Sequence, residues 1–596
     1  MAELLPSPLA RLVTRAFEEL DRQRSIFDLP ARKFVLGDCR FDTSVEVHGH
    51  RVGTPLGPSA GPHTQMAQNI VLCWLAGARV MELKTIQVLD SLTIARPCID
   101  ARTVGFNVEW SQELKIEQSL EEYVKASMLI EMLSASGVLE IQPGFERALF
   151  DVSVGYDLEG IRSERVTAFL RGMLDAGKTI EALRRQIPER WRRLREVDFT
   201  SRIADTVTLS TFHGCPAHEI ERIADYLMTE IGVDCTIKLN PTLLGRRAVH
   251  EILHDRLGFT DIEVPPIAFE NDTTWQHAVE IVGRLRQRAR DLGRSFGVKL
   301  TNTLLVENRS DFLPRSEKVA YLSGAPLHVM AMHLVRRFRR TFGDSIPISF
   351  SAGIDRLNYA DAVSLGLSPV TVCTDLLKQG GYGRLQAYAK ALHSRMEAIG
   401  AYSISDFIRR GRPVTVAEAK TLNTEEYVQS LDGDPRYHNE QLARPARKRG
   451  RPLELFDCAT CDLCIPACPN DAIFKIPSLD AGARKPHQIA CFAELCNDCG
   501  NCEVFCPDHG APNRLKFRLF ESEEAWRRDA PRDAFWIKGE TVVCRIAGNE
   551  YSLDQRGDGD PDIWPYALMD YVRRAVLDPS AVNYINCLPL EERNRP

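Results

Sequence analysis

Cys235-Thr-Ile-Lys-Leu-Asn-Pro241 is a short run, rich in apolar residues, that ends in a polar residue and a proline. Seven more runs of similar length lie between residues 54 and 376, and longer helical patterns separate most of them. Eight strands that alternate with helices predict an α/β fold, a (β/α)8 TIM barrel over residues 51–410. The eight predicted strands are Thr54–Gly61, Val80–Ile86, Ala148–Tyr156, Asp205–Thr211, Cys235–Pro241, Val298–Leu304, Ile348–Ile354 and Val370–Leu376.

Polar side chains occur at the carboxyl ends of these predicted strands. In a (β/α)8 barrel those ends meet at one face, and that face carries the active site. A single lysine at a strand end is usually a surface residue, but several polar residues from different strands favour a shared site. The strand-end residues are Lys84, Ser153, Ser210, Lys238, Asn240, Asn302, Ser351 and Asp375.

Two cysteine runs follow the predicted barrel: Cys458-Ala-Thr-Cys461-Asp-Leu-Cys464-Ile-Pro-Ala-Cys468-Pro469 and Cys496-Asn-Asp-Cys499-Gly-Asn-Cys502-Glu-Val-Phe-Cys506-Pro507. Each has the C-x2-C-x2-C-x3-C-P spacing of bacterial two-cluster ferredoxins, in which the fourth cysteine binds the other cluster. Zinc knuckles are the alternative, but they usually pair two C-x2-C units across a longer gap. We predict one 4Fe-4S cluster on Cys458, Cys461, Cys464 and Cys506, and a second on Cys468, Cys496, Cys499 and Cys502.

Composition and charge limit the possible classes of protein. The chain has 596 residues with average hydrophobic and charged fractions, which excludes a disordered, collagen-like or coiled-coil protein. Its 75 basic and 81 acidic residues give a net charge of −6, so we expect no nucleic-acid partner. We expect no membrane span and no signal peptide, because no long apolar run and no basic leader are visible. Clustered cysteines in such a chain indicate metal chemistry in a reducing cytoplasm.

The same patterns divide the chain into five predicted parts. Prolines and a basic run, Arg444 to Arg451, are typical of a connector between the barrel and the cysteine runs. We favour a solvated connector for this run; a docking strip for an acidic partner is the alternative. The parts are an N-terminal helical extension (1–50), the barrel (51–410), a linker (411–452), a ferredoxin-like domain (453–520) and a short β-rich C-terminal appendix (521–596).

Several strand-end motifs resemble those of the dihydroorotate and dihydropyrimidine dehydrogenases. Thr54-Pro-Leu-Gly-Pro-Ser-Ala-Gly61 resembles their first flavin-contacting strand, and Glu82-Leu-Lys84 resembles the strand that brings a lysine to the flavin ring. Dihydropyrimidine dehydrogenase also has a two-cluster ferredoxin unit after its flavin barrel. The resemblance implies FMN as a cofactor. The implied cofactor-binding residues are Ala60, Gly61, Lys84, Asn107, Lys238, Asn302, Gly353, Gly380 and Gly381.

A closer resemblance covers nearly the whole chain. Gly61-Pro-His-Thr-Gln-Met-Ala-Gln-Asn69, Pro97-Cys-Ile-Asp100 and Lys299-Leu-Thr-Asn-Thr303 look like motifs of the YgfK family, whose members are named as selenate reductase subunits and linked to anaerobic purine and urate breakdown. Longer members carry FAD- and NAD-binding modules, but no strand–GxGxxG–helix unit is visible in this sequence. The resemblance therefore implies that a separate FAD- and NAD(P)H-type flavoprotein donates electrons within a hetero-oligomer.

The candidate catalytic loop is Leu209-Ser-Thr-Phe-His-Gly-Cys-Pro216. In the dihydropyrimidine enzymes a cysteine followed by proline protonates one carbon while reduced flavin gives hydride to its neighbour. By resemblance Cys215 is the general acid, with His213 or His218 as helper or substitute. The pattern departs from those enzymes, since Thr208 replaces an asparagine and four residues separate Ser210 from Cys215. A buried apolar role for Cys215 is the alternative.

These observations predict a flavin- and iron–sulfur-dependent oxidoreductase that reduces an unsaturated nitrogen heterocycle. A purine- or urate-like ring has amides that Asn107 and Asn302 could bind. Reduction of an oxyanion such as selenate is an alternative, although no molybdenum-pterin pattern is visible. A second alternative is an electron-transfer subunit whose barrel has lost catalysis.

Overall fold

Eight parallel strands form a nearly closed barrel in the computed structural model, which describes residues 4–89, 93–108, 111–210, 216–270, 272–479, 485–553 and 564–588. Hydrogen bonds link the first strand to the eighth, and from there each strand to the one before it in the chain, down to the second. Each strand overlaps one of the eight predicted runs, so the barrel prediction is confirmed. The strands are β1 (Leu56–Pro58), β2 (Val80–Glu82), β3 (Leu149–Val154), β4 (Thr206–Ser210), β5 (Asp234–Leu239), β6 (Phe296–Leu300), β7 (Ile348–Phe350) and β8 (Val370–Val372).

The barrel closes where β1 meets β2. The backbone N–H of Arg79 donates to the Leu56 carbonyl oxygen at 2.8 Å. Gly57 makes this approach possible, because a Cβ atom at that position would lie 1.9 Å from the Val80 carbonyl oxygen. A side chain on residue 57 would therefore force the first two strands apart.

Helices connect successive barrel strands. Among the described residues, none of the helices combines the length and apolar character needed to span a bilayer. The helices up to the end of the barrel region are Leu9–Gln23, Ala67–Leu75, Ile116–Ala135, Leu158–Arg162, Glu164–Leu174, Gly177–Arg184, Ala217–Tyr226, Arg246–His250, Ile267–Glu270, Trp275–Asp291, Ala325–Phe342, Tyr359–Ser364, Leu385–Ala398, Ile404–Arg409 and Val416–Leu431.

A four-stranded antiparallel sheet lies over the carboxyl ends of the barrel strands. Its strands, in spatial order, are Leu304–Glu307, Val319–Ser323, Gly105–Asn107 and Ile99–Asp100. The sequence did not predict this lid sheet. Two of its strands follow β2 and two follow β6, and such short strands from distant segments have no pattern of their own.

Strands that follow the two cysteine runs form one six-stranded sheet with strands of the C-terminal region. Helix Trp564–Leu577 packs against it. The boundary predicted at residue 520 therefore does not separate two units, because the third and fourth strands pair across it. In spatial order the strands are β9 (Ile473–Pro477), β10 (His487–Phe492), β11 (Phe517–Phe520), β12 (Ala534–Lys538), β13 (Thr541–Ile546) and β14 (Asn549–Leu553).

Much of the predicted linker, 411–452, is packed rather than free. Helix Val416–Leu431 lies against helix Ala325–Phe342, and Arg340 donates to the Glu425 carboxylate at 2.7 Å. Prolines and charges suggested a connector, but the buried side chains of this helix join the barrel core.

The N-terminal helix Leu9–Gln23 ties the two halves of the molecule together. Its Arg15 is fully buried and donates to Asp471 at 2.7 Å, just beyond the first cysteine run. The guanidinium also lies over the ring of Tyr584, 3.9 Å from the centroid. One buried cation thus connects the N-terminal extension, the cysteine region and the C-terminal segment.

Replacing Gly57 by alanine should prevent proper barrel closure. The added Cβ meets backbone, which cannot move aside, so we expect the free energy of unfolding to fall by more than about 4 kcal/mol. Urea unfolding followed by circular dichroism measures the change. The control is Gly283→Ala in helix Trp275–Asp291, where a Cβ meets nothing within 4 Å. This substitution should raise the free energy of unfolding by at most about 1 kcal/mol, because alanine favours a helix more than glycine does. Equal stability of the two variants would contradict the closure argument.

Candidate active site

A cavity of about 440 Å³ opens at the carboxyl ends of the barrel strands, beneath the lid sheet. Its volume lies in the range of small-molecule sites. The lid sheet contributes Ile99, Phe106 and Tyr321 to the lining. Seven of the nine predicted cofactor-binding residues line this cavity: Ala60, Gly61, Lys84, Asn107, Lys238, Asn302 and Gly353.

Gly380 and Gly381 lie elsewhere and do not line the cavity. A Cβ on Gly381 would lie 1.9 Å from the Pro466 carbonyl oxygen, so this glycine allows the barrel to approach the first cysteine run. Gly381 does permit a close approach to the backbone, as expected, but the group that approaches it belongs to the cysteine region and is not a phosphate.

Gly324 and Gly353 form the glycine pair at the cavity. Both have positive φ, 86° and 52°, and a Cβ on Gly353 would lie 2.5 Å from the Gly324 carbonyl oxygen. Gly324 immediately precedes helix Ala325–Phe342, whose N-terminus therefore faces the cavity. Backbone N–H groups at a helix N-terminus favour anions such as phosphate. The Gly-Ala-Pro sequence at this helix start is a signal that could have identified Gly324.

The predicted catalytic residues Cys215 and His213 lie outside the described residues, which end at Ser210 and resume at Pro216. Ser210, at the end of β4, lines the cavity. His218 lies on helix Ala217–Tyr226 and is exposed.

Buried charges lie inside the barrel near the two cavity lysines. Lys299 donates to both carboxylate oxygens of Glu82 and, at 3.0 Å, to the Thr371 hydroxyl. Burial and the neighbouring Lys299 lower the pKa of Lys238 to about 8, although Glu82 opposes the shift. The ammonium of Lys238 therefore loses its proton more easily than an exposed lysine does.

Cys373 is a cavity residue that sequence reasoning missed. It follows β8 and lies beside the first strand: a Cβ on Gly61 would be 2.9 Å from its sulfur. Its place at a strand end was the available signal, but a lone cysteine is usually a buried apolar residue.

The structure brings the cysteines together in the two predicted sets, each with one member from the other run. Cys458, Cys461, Cys464 and Cys506 line one small cavity. We call these four residues the outer set, because Cys461 is exposed.

The inner set comprises Cys468, Cys496, Cys499 and Cys502. Burial, together with the charges of the other three thiols, raises the pKa of Cys502. Among the described residues no group of three or more His, Cys, Asp or Glu side chains surrounds a point where a single metal ion could sit. A cubane makes a different demand, since each of its thiolates binds a separate iron, and the crossed pairing of the runs fits that demand.

The inner set lies at the rim of the cavity. The backbone N–H groups of Cys98 and Ile99 both donate to the Cys499 carbonyl oxygen at 3.1 Å, and Ile99 lines the cavity. Asn501, also in the second run, donates to the carbonyl oxygen of Leu377, another lining residue, at 2.8 Å.

The segment Gly61–Asn69 holds the end of the first cysteine run. The side-chain amides of Gln65 and Asn69 donate to the Asn470 side-chain oxygen at 3.2 and 3.1 Å. Gln68 donates to the Asn470 backbone carbonyl at 3.2 Å. All four residues are buried. This motif therefore fixes the residue two places after Cys468 against the barrel.

The fold and site define an enzyme-type (β/α)8 barrel with a ligand-sized cavity at the carboxyl ends of its strands. The chain belongs to the family described as "Oxidoreductase YgfK, N-terminal TIM-barrel domain", whose model matches residues 27–428. YgfK of Escherichia coli is 40% identical over 409 residues, which cover 65% of this chain and 39% of that protein. The matched region thus spans about two fifths of this relative's length.

Two shorter similarities concern other oxidoreductases. Dihydroorotate dehydrogenase (quinone) of Bordetella pertussis is 31% identical over 85 residues, 14% of this chain and 24% of that protein. Ketoisovalerate oxidoreductase subunit VorC of Methanothermobacter marburgensis is 34% identical over 59 residues, 10% of this chain and 72% of that protein.

Replacing Asn470 by alanine should loosen the cysteine region from the barrel. The amides of Gln65 and Asn69 would lose their buried acceptor, which costs about 2–5 kcal/mol in all. Differential scanning calorimetry should show a lower melting temperature or a separate transition for the cysteine region. The control Asn549→Ala, at the exposed first residue of β14, should change stability by less than about 0.5 kcal/mol. An Asn470→Ala protein that melts like this control would refute the anchoring role.

Proposed function

We propose that this chain is an FMN- and iron–sulfur-dependent oxidoreductase subunit. It receives electrons through two 4Fe-4S clusters and reduces an unsaturated nitrogen heterocycle, such as a purine- or urate-like ring. The observation that carries the proposal is the contact at the cavity rim, where Cys499 is joined through its carbonyl oxygen to Ile99, a lining residue. A redox group on the inner set would lie beside a ligand in the cavity.

The cavity residues suit a flavin mononucleotide. Lys84 and Lys238 supply cations that would favour negative charge on a reduced ring, and such charges tune a cofactor's potential. The helix N-terminus at Gly324, with Gly353 opposite, suits the phosphate. FMN, when bound, would supply hydride transfer.

The substrate would occupy the part of the cavity nearest the lid sheet. Asn107 and Tyr321 pair across that sheet, and both line the cavity with Asn302. Amide and hydroxyl groups can pair with the ring N–H and C=O groups of a purine-like compound. The lid sheet also covers the reacting groups, which limits their access to water.

Cys215 would protonate the substrate, with His213 as helper. A thiol with an ordinary pKa of about 8.5 is mostly protonated at neutral pH and can act as an acid. Support comes from the sequence of the loop and from its start at Ser210, a cavity residue. Electrons would come from a separate FAD- and NAD(P)H-type flavoprotein in a hetero-oligomer.

Cofactor content tests this proposal directly. Protein purified without oxygen should contain about one FMN and about eight iron atoms, with equal sulfide, per chain. Gly353→Val should lose FMN but keep iron, because its side chain would clash with the Gly324 backbone. Cys499→Ser should keep FMN and lose about four of the eight iron atoms, those of the inner set. Parent protein that contains zinc and no acid-labile sulfide, or that contains no flavin, would overturn the proposal.

The Cys215→Ala variant separates an enzyme from a relay subunit. Turnover in a screen of purines and pyrimidines should fall by about 10²-fold or more, as expected for loss of a general acid. Reduction of bound flavin by dithionite should stay unchanged. Normal turnover by this variant would instead favour His213 as the proton donor, which the matched His213→Ala variant tests. No turnover by the parent in the same screen would favour a relay subunit.

A further inference from the structure

The segment before the first cysteine run lies along the outer set. The Lys448 ammonium donates to the backbone carbonyl oxygens of Cys506 and Glu503, both at 2.7 Å. The Arg449 backbone N–H donates to the Pro507 carbonyl oxygen at 2.6 Å, and the Leu453 N–H donates to that of His509 at 2.8 Å. This basic segment is therefore fixed beside Cys506, one of the four outer cysteines.

The charge of this segment contrasts with the rest of the chain. Residues 441–457 contain five arginines and lysines against two acidic residues, Glu454 and Asp457, a net charge of +3. The whole chain has a net charge of −6. Arg449 and Arg451 pair with Asp508, whereas the side chains of Arg444 and Arg447 are exposed to solvent. The segment is positive although the protein is acidic.

Two apolar side chains close in sequence to residues of the outer set or its small cavity are exposed. Phe456, two residues before Cys458, is 39% exposed, and Leu515 is 44% exposed. Leu515 directly precedes Lys516, which lines the small cavity formed by those cysteines, as does Pro512. Cys461 itself is exposed. An apolar patch with a basic rim is typical of a site for another protein.

We infer that this outer-cluster surface, formed by Arg444, Arg447, Lys448, Phe456, Cys461 and Leu515, docks the acidic face of a redox carrier protein. The inference rests on the proposed function, because it takes the outer set as a cluster ligand set. Carboxylates on the carrier would face the arginines and steer association, while the apolar patch would allow close approach to Cys461. The contact would be small and short-lived, as electron-transfer encounters are, and the carrier would be a partner additional to the flavoprotein of the hetero-oligomer.

Binding of an acidic two-cluster ferredoxin to the intact, cluster-loaded protein tests this inference. Surface plasmon resonance should give a Kd that rises by about tenfold or more in the double variant Arg444→Glu/Arg447→Glu at low ionic strength. The difference should shrink as salt is added, because salt screens exposed charges.

The matched control reverses the same amount of charge elsewhere. Arg192→Glu/Arg193→Glu changes two exposed arginines on the segment Glu189–Glu196, which contacts the N-terminal helix through the Arg190–Glu18 ion pair. It should leave the Kd within about twofold of the parent value. Equal losses in both double variants, or no loss in the first, would overturn the docking surface.

Three further readouts keep this inference distinct from the proposed function. Iron and sulfide contents of both double variants should match the parent, and so should their reduction by a zwitterionic viologen. If the parent contains no iron, the proposed function fails. If the iron is present and the Kd for ferredoxin is the same in the parent and in the Arg444→Glu/Arg447→Glu variant, only the docking surface is refuted.

Discussion

The position of the cysteine region relative to the barrel depends on the buried hydrogen bonds that the barrel makes to Asn470. Gln65, Gln68 and Asn69 belong to the segment that follows β1, so the same stretch of chain starts the cavity wall and binds the cysteine region. The side-chain amides of these three residues are buried and cannot bond to water instead, so losing their acceptor would leave them without a hydrogen-bond partner. The separation between the cavity and the inner set is thereby fixed by side-chain amides rather than by a flexible connector.

A second set of buried polar contacts supports the same junction from the opposite side. Arg15 bonds Asp471, next in sequence to Asn470, and Tyr584 donates to that carboxylate at 2.7 Å. Residues 470 and 471 are thus held by three parts of the chain that are far apart in sequence. Buried ion pairs add little net stability but impose strict geometry. For electron transfer between two fixed groups, that geometry matters more than the stability.

The sequence was informative wherever a residue type had a regular spacing. Apolar runs predicted all eight barrel strands, and the cysteine spacing predicted which thiols come together. It failed where position depends on partners distant in sequence. The lid sheet joins segments about 200 residues apart, and Gly381 serves the approach to Pro466 although a glycine-rich loop resembled a phosphate site. Nothing local distinguishes these two uses of glycine.

The two cysteine sets differ in their surroundings: one lies at the cavity and the other reaches the protein surface. The inner set touches the cavity rim through Cys499, and three of its four members are buried, whereas the outer set reaches solvent at Cys461. A buried cavity under a lid cannot admit a protein carrier, so any exchange of electrons with one must occur at a surface. The outer set is the candidate, because it reaches the surface and contains Cys506, which belongs to the same cysteine run as three members of the inner set. Because Lys448 donates to the Cys506 and Glu503 carbonyl oxygens, the basic segment is fixed beside the outer set.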